Sequence, residues 1–248
     1  MFQFRQKYQL CEAFGIPITA DISSLGLLLL LVFDLGLNLG LPCAILLAIS
    51  IVLHELGHSL TSRAFGCRIS EIRLSLLGGC ASGEIPHGAW KELLMAAAGP
   101  AVSFVLGFGL LFAFGGVPIE SDWLRQVLQY AIVMNIMLGA FNLLPGFPMD
   151  GGRIFRCVMR MFCTRARATY YAMIVGRVAA VALVVLPLLQ VYHIWIIPIG
   201  GSFFFRVLIA WMIWQEGYRE YLIARQEENF RGWSQADFNA RVSPPPYD

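Results

Sequence analysis

Two histidines four residues apart, His54 and His58, share the apolar run PCAILLAISIVLHELGHSLTSRA with a glutamate, Glu55. On a helix, residues i and i+4 lie on one face, so both imidazoles can approach a single ion while Glu55 sits one step round the same turn. H-E-x-x-H is a spacing that suits zinc, with the carboxylate beside it as general base. With four histidines in 248 residues, random placement yields about 0.003 such patterns. Two unrelated core histidines are therefore a poor account of it. Zinc at a hydrolytic site takes three protein ligands and leaves a fourth position open, so a third ligand is needed. A third histidine at the H-E-x-x-H-x-x-G-x-x-H spacing is absent, because position 64 is Ala64; His87 and His193 read as bystanders. A better candidate is Asp150, in the segment FNLLPGFPMDGGR. There Pro145 and Pro148 break a helix, and Gly146, Gly151 and Gly152 permit tight turns that could bring the carboxylate back toward a neighbouring helix. The rival reading makes Asp150 a simple N-cap.

The elements that must hold these groups are apolar. The chain is 58% hydrophobic and 14% charged, with a mean hydropathy of +0.67, where a soluble domain carries about 25% charged residues. That excludes an ordinary cytosolic enzyme. A net charge of +2, with no basic tract, excludes a dedicated nucleic-acid binder. Six stretches are long enough to cross a bilayer: residues 23–38, 42–64, 90–115, 123–144, 169–192 and 194–215. Six crossings put fifteen of the 18 Lys and Arg residues on one face and Arg125 alone on the other, with Arg177 and Arg206 inside spans. The positive-inside bias then places both termini in the cytoplasm. Ionisable groups inside a bilayer cost several kcal/mol unless paired, ligating or facing a cavity, so His54, Glu55 and His58 are functional candidates by position as well as by pattern. Between the second and third spans, Ile72 and Leu74 alternate with Arg73 and Ser75, a strand signature within about residues 67–84. The expected fold is all-α and polytopic, with about six transmembrane helices and a small membrane-associated β-hairpin or sheet between the second and third.

In combination, HELGH at 54–58, Gly78 and Gly79, AAGPAVS at 97–103 and NLLPGFPMDGG at 142–152 resemble the site-2 protease family of intramembrane zinc metalloproteases. The resemblance spans roughly residues 14–167. It implies one zinc ion per chain on His54, His58 and Asp150, with Glu55 as catalytic base and Asn142 holding the substrate carbonyl or its oxyanion. It also implies a membrane-bound sheet whose edge can pair with an unwound substrate segment. The family often has Asn where this chain has Ser103, which leaves a polar role at that position open. Asn135, seven residues before Asn142, faces the site or acts as interhelical glue.

The domain plan that follows is a cytoplasmic segment over 1–22, a transmembrane protease domain over 23–215 with the Asp loop at about 145–153, and a cytoplasmic tail over 216–248. That tail is too short for the PDZ or nucleotide-binding CBS modules of many relatives. It also carries PPPY at 244–247, a coincidental match to a WW-domain ligand. The expected function is hydrolysis of a peptide bond in or near a transmembrane segment of a membrane-tethered regulatory protein, in a bacterial or archaeal cell membrane, with the site opening to the cytoplasm. Expected partners are that substrate, the lipid bilayer, and an upstream protease or membrane regulator, with no nucleic acid. The alternative from another class is a zinc or ion transporter using the same His/Glu/Asp cluster.

Overall fold

The computed structural model describes residues 7–75, 78–188 and 203–231. Two strands open it, β1 (Lys7–Ala13) and β2 (Ile16–Asp21), followed by α1 (Ser24–Ala64), β3 (Ile69–Ser75), β4 (Gly78–Gly83), α2 (Ala89–Phe114), α3 (Asp122–Asn142), α4 (Asp150–Met159), α5 (Arg165–Leu188) and α6 (Phe203–Arg231). The chain divides into two units, Met1–Leu144 with Met149–Ile154, and Pro145–Pro148 with Phe155–Asp248. Among the described residues α1, α2, α3 and most of α5 are long and apolar enough to cross a membrane.

α1 contains two of the expected spans. Its helical geometry breaks at Gly36, where φ is 75° and ψ 164°, a backbone state open to glycine and strained for other residues. A straight helix would separate residues 31 and 40 by about 13 Å. Instead, a Cβ built on Gly40 would fall 2.5 Å from the Leu31 carbonyl oxygen, so the chain doubles back and the two arms touch near the break. The remaining spans fall on α2, α3 and α5 with ends shifted by a few residues. Residues 189–192 of the fifth and 194–202 of the sixth lie outside the described residues, as do His193 and PPPY. α6 runs on past the apolar stretch to Arg231.

The expected small β element is a four-stranded sheet, to which two strands before the first span also contribute. Its order is β1-β2-β3-β4, antiparallel except for the parallel β2–β3 pair, in which Ile18 stands opposite Ile72. Both arms of α1 form the crossover between those parallel strands. One face of the sheet packs onto α1: Ile16, Ile18 and Ile72 enclose Leu56, with Val52 and Leu53 alongside. Each such buried side chain contributes roughly 1.5–3 kcal/mol, and Leu56 lies between Glu55 and His58. The sheet thereby anchors the helical turn that carries the H-E-x-x-H residues. At its rim Glu71 accepts a hydrogen bond from Lys7 Nζ at 2.6 Å and pairs with the Arg73 guanidinium. These two cations hold the Glu71 carboxyl down at about 2.

The second unit has its own core. α5 and α6 pack together through Gly217 against Met173. Arg156 of α4, 2% exposed, pairs with Glu220 Oε2 at 2.9 Å and lies over the Phe147 ring. Arg177 stacks on Trp214, 4.4 Å from the ring centre, which gives this intramembrane cation a structural partner.

Candidate metal centre

His54 and His58 project from consecutive turns of the second arm of α1, as their spacing requires. Asp150 opens α4, where its carboxylate also complements the positive end of the helix. The fold-back that places it there depends on Gly151. A Cβ on that residue would lie 2.3 Å from both the Leu143 and Leu144 carbonyl oxygens, so a glycine is needed for the loop to press against the end of α3. Asp150 thus opens a helix and also turns its carboxylate to the histidines. His54 Nε2 and His58 Nε2 each lie 3.1 Å from Asp150 Oδ2 and 3.3 Å from one another. All three residues belong to the first unit.

These distances fit zinc. Two ligands on a tetrahedral ion with bonds of about 2.0–2.1 Å lie about 3.3 Å apart, and the three atoms form a triangle with edges of that length. The hydrogen bond of His58 agrees. Its Nδ1 lies 2.7 Å from the Met95 carbonyl oxygen, which can only accept, so Nδ1 donates there and a neutral ring presents its lone pair at Nε2. That lone pair faces a carboxylate oxygen and a second imidazole nitrogen, a donor set that calls for a cation at its centre. The residues therefore suit the metal that their pattern implies.

α2 supplies the support. Met95, Gly99 and Ser103 recur every four residues along one face, and each meets a histidine. The Met95 carbonyl accepts from His58. Ser103, fully buried, places Oγ 2.9 Å from His54 Nδ1. Gly99 has no side chain where a Cβ would come within 2.2 Å of His58 Nε2 and 2.7 Å of His54 Nε2. The sequence left the polar role of Ser103 open; a stripe at i, i+4, i+8 on an apolar helix was the available signal. Partners of this kind fix the tautomer and orientation of ligating histidines, and losing one weakens metal binding about 10- to 100-fold. Ser103→Ala is expected to weaken zinc affinity by that factor without unfolding the chain, as read by competition with a chromogenic chelator.

Glu55 is not among the grouped ligand atoms. Its side chain lies along β4, where a Cβ on Gly79 would come 2.5 Å from Glu55 Cγ. Edge strand and glutamate are thus adjacent. Asn142, in the last turn of α3, donates from Nδ2 to the Leu138 carbonyl oxygen at 2.9 Å, and it forms no hydrogen bond with the three grouped residues. Asn135 bridges α3 to α1 by donating to Ser50 Oγ at 3.0 Å, the interhelical role. His87 is exposed in the loop before α2.

The family described as peptidase family M50 matches residues 42–123 and 116–186. A zinc metalloprotease of Methanocaldococcus jannaschii is 37% identical over 191 residues, covering 73% of this chain and 54% of the relative. A putative zinc metalloprotease of Synechocystis is 32% identical over 201 residues, covering 80% and 52%. The chain thus spans about half the length of the curated relatives it matches. Among solved structures, a site-2 protease from Methanocaldococcus jannaschii superposes with a TM-score of 0.59 at 30% identity, covering 87% of this chain and 95% of that one.

Proposed function

The chain belongs to peptidase family M50, the site-2 proteases, and from that premise we propose that it is an intramembrane zinc endopeptidase acting on membrane-tethered proteins. The observation that carries this reading is the triangle of His54 Nε2, His58 Nε2 and Asp150 Oδ2, with both histidines on a helix long and apolar enough to cross a membrane. We assign one zinc ion to these three residues. When bound, it supplies Lewis acidity, acidifying a water and polarising a carbonyl.

The remaining steps fall to side chains of this chain. Glu55 takes the proton of the attacking water and later gives it to the departing amine, so that a neutral amine leaves. Asn142 turns its amide from Leu138 to the carbonyl oxygen of the cleaved bond, where negative charge develops. The edge of β4 pairs with substrate backbone, because a peptide bond held in a helix is shielded until that helix opens. With Gly79 beside Glu55, strand pairing would deliver the opened segment to the base. The excess of Lys and Arg on one face puts the termini and this opening on the cytoplasmic side, and His58 lies only about 9 Å along the helix from Ala64, a short path for water. The substrate class that fits is a regulator released from the membrane by cutting.

The test uses the purified full chain in lipid vesicles with a membrane-tethered reporter. Cleavage is expected to stop on treatment with a strong chelator and to return when zinc is restored, and sealed vesicles should show no zinc flux. Zinc uptake without proteolysis would replace this reading with a transporter.

A further inference from the structure

Asp150 holds one oxygen 3.1 Å from each of two imidazole nitrogens, but it stands in a stretch of chain with much freedom to lose. Gly151 and Gly152 follow it directly and Gly146 comes shortly before it, and glycine gives up more conformational entropy on ordering than any other residue. A ligand carried on such a segment binds weakly unless something orders the segment beforehand. Groups suited to that task lie in the second unit, which includes residues 145–148 of the loop and the far end of α4.

Three contacts within that unit grip the loop and its helix. Gly146 lies backbone to backbone on Gly176 of α5: a Cβ on Gly146 would fall 2.7 Å from Gly176 Cα, and one on Gly176 would fall 2.9 Å from Gly146 Cα. The buried ring of Phe147 has the Arg156 guanidinium over it, 5.0 Å from the ring centre. Arg156 in turn donates from Nη1 to Glu220 Oε2 of α6 at 2.9 Å. Further along α6, Glu228 Oε2 accepts from the Ala166 backbone N–H at 3.1 Å, which ties that helix to the start of α5. Well-packed apolar residues serve a core as well as a buried ion pair does, or better, so packing alone does not account for a buried arginine at position 156.

We propose that Glu220 and Arg156 are positioning residues for the metal centre: the α6 carboxylate holds the guanidinium over Phe147, and this stack fixes the loop that presents Asp150. The inference rests on the assignment of zinc to His54, His58 and Asp150. Phe147 precedes the ligand in the chain and Arg156 follows it, about 9 Å along α4, so joining the two restrains the chain on both sides of Asp150. Neither side chain needs to reach the ion. Their effect passes through the backbone of the loop, by sparing the metal the cost of ordering it.

The experiment measures the full chain in two states, its zinc affinity by chelator competition and, with zinc stripped, amide hydrogen exchange. Glu220→Ala and Phe147→Leu are each expected to weaken zinc binding about tenfold, the low end of the range for groups that orient ligands. The double variant should bind no more weakly than the weaker single, because the residues act as one unit. In the zinc-free protein the amides of Met149 to Gly152 should exchange at least tenfold faster in Glu220→Ala while those of α5 keep their rates. Glu228→Ala, which removes the other α6 carboxylate contact and leaves Arg156 alone, should match the wild type in both measurements. Wild-type affinity and exchange in Glu220→Ala overturn the proposal. So does an equal loss in Glu228→Ala, which would make the effect one of α6 packing, and so do additive losses in the double variant. Should α5 also exchange faster in Glu220→Ala, Phe147→Leu decides, and wild-type affinity there overturns the proposal. A wild type that binds no zinc removes the metal assignment instead, and the zinc-free exchange rates still decide whether Glu220 holds the loop.

Discussion

Glu55→Gln is expected to leave zinc bound and the chain folded while reporter cleavage falls by about 10²- to 10⁴-fold, the usual contribution of a positioned general base. The substitution keeps the shape of the side chain and removes only its ability to take a proton. Shape matters because the Glu55 Cγ rests where a Cβ of Gly79 would be, and Ile51 crowds the same strand position. A glutamine fits that slot, and His54, His58 and Asp150 are untouched. Metal analysis paired with a gel assay of the reporter separates the outcomes. Full cleavage would remove Glu55 from the chemistry, and loss of zinc would make it a ligand. His54→Ala or Asp150→Ala, in contrast, is expected to lose metal and cleavage together.

The proposed ligands and base differ in how far they could be read from the chain. H-E-x-x-H is a local pattern whose meaning follows from helix periodicity, so His54, Glu55 and His58 were legible without a fold. Asp150 was legible because Pro145, Pro148 and the paired glycines mark a break in an apolar run, and Gly151 proves to be the residue that lets the break fold back. The hairpin in α1 was visible as two spans even though its helical assignment is continuous, since the Gly36 to Gly40 region interrupts the apolar pattern. The support from α2 was marked only by the stripe of Met95, Gly99 and Ser103 at every fourth residue, which does not say what it faces, because helix approach is a property of two elements. β1 and β2 escaped for a local reason. Their turn is Phe14-Gly15, both at positive φ, where the familiar hairpin signal has Asn or Asp before Gly. β1 is also exposed on both faces, so it lacks the alternation that betrays a half-buried strand.

Gly99→Ala is expected to abolish zinc binding, and cleavage with it, while leaving the helical fold intact. In an isolated helix the substitution is favourable by about 1 kcal/mol, so a loss cannot be laid to helix propensity. The added methyl would sit 2.2 Å from His58 Nε2, 2.5 Å from its Cε1 and 2.7 Å from His54 Nε2. These are far inside van der Waals contact, at the very nitrogens that would hold the metal. The rings cannot swing aside cheaply. His58 is tied through Nδ1 to the Met95 carbonyl and His54 through Nδ1 to Ser103, and both anchors lie on the same helix that carries the new methyl. Moving α2 away is no easier, since a Cβ on Gly57 would already meet the Ala98 carbonyl at 2.9 Å, a mark of how closely the two helices approach. Gly109→Ala is the control: it adds the same methyl to the same helix where nothing lies within 4 Å, and it should retain metal and activity. Metal analysis with a thermal melt followed by circular dichroism reads both variants. Wild-type zinc content in Gly99→Ala would place the ion somewhere other than between these two imidazoles and Asp150.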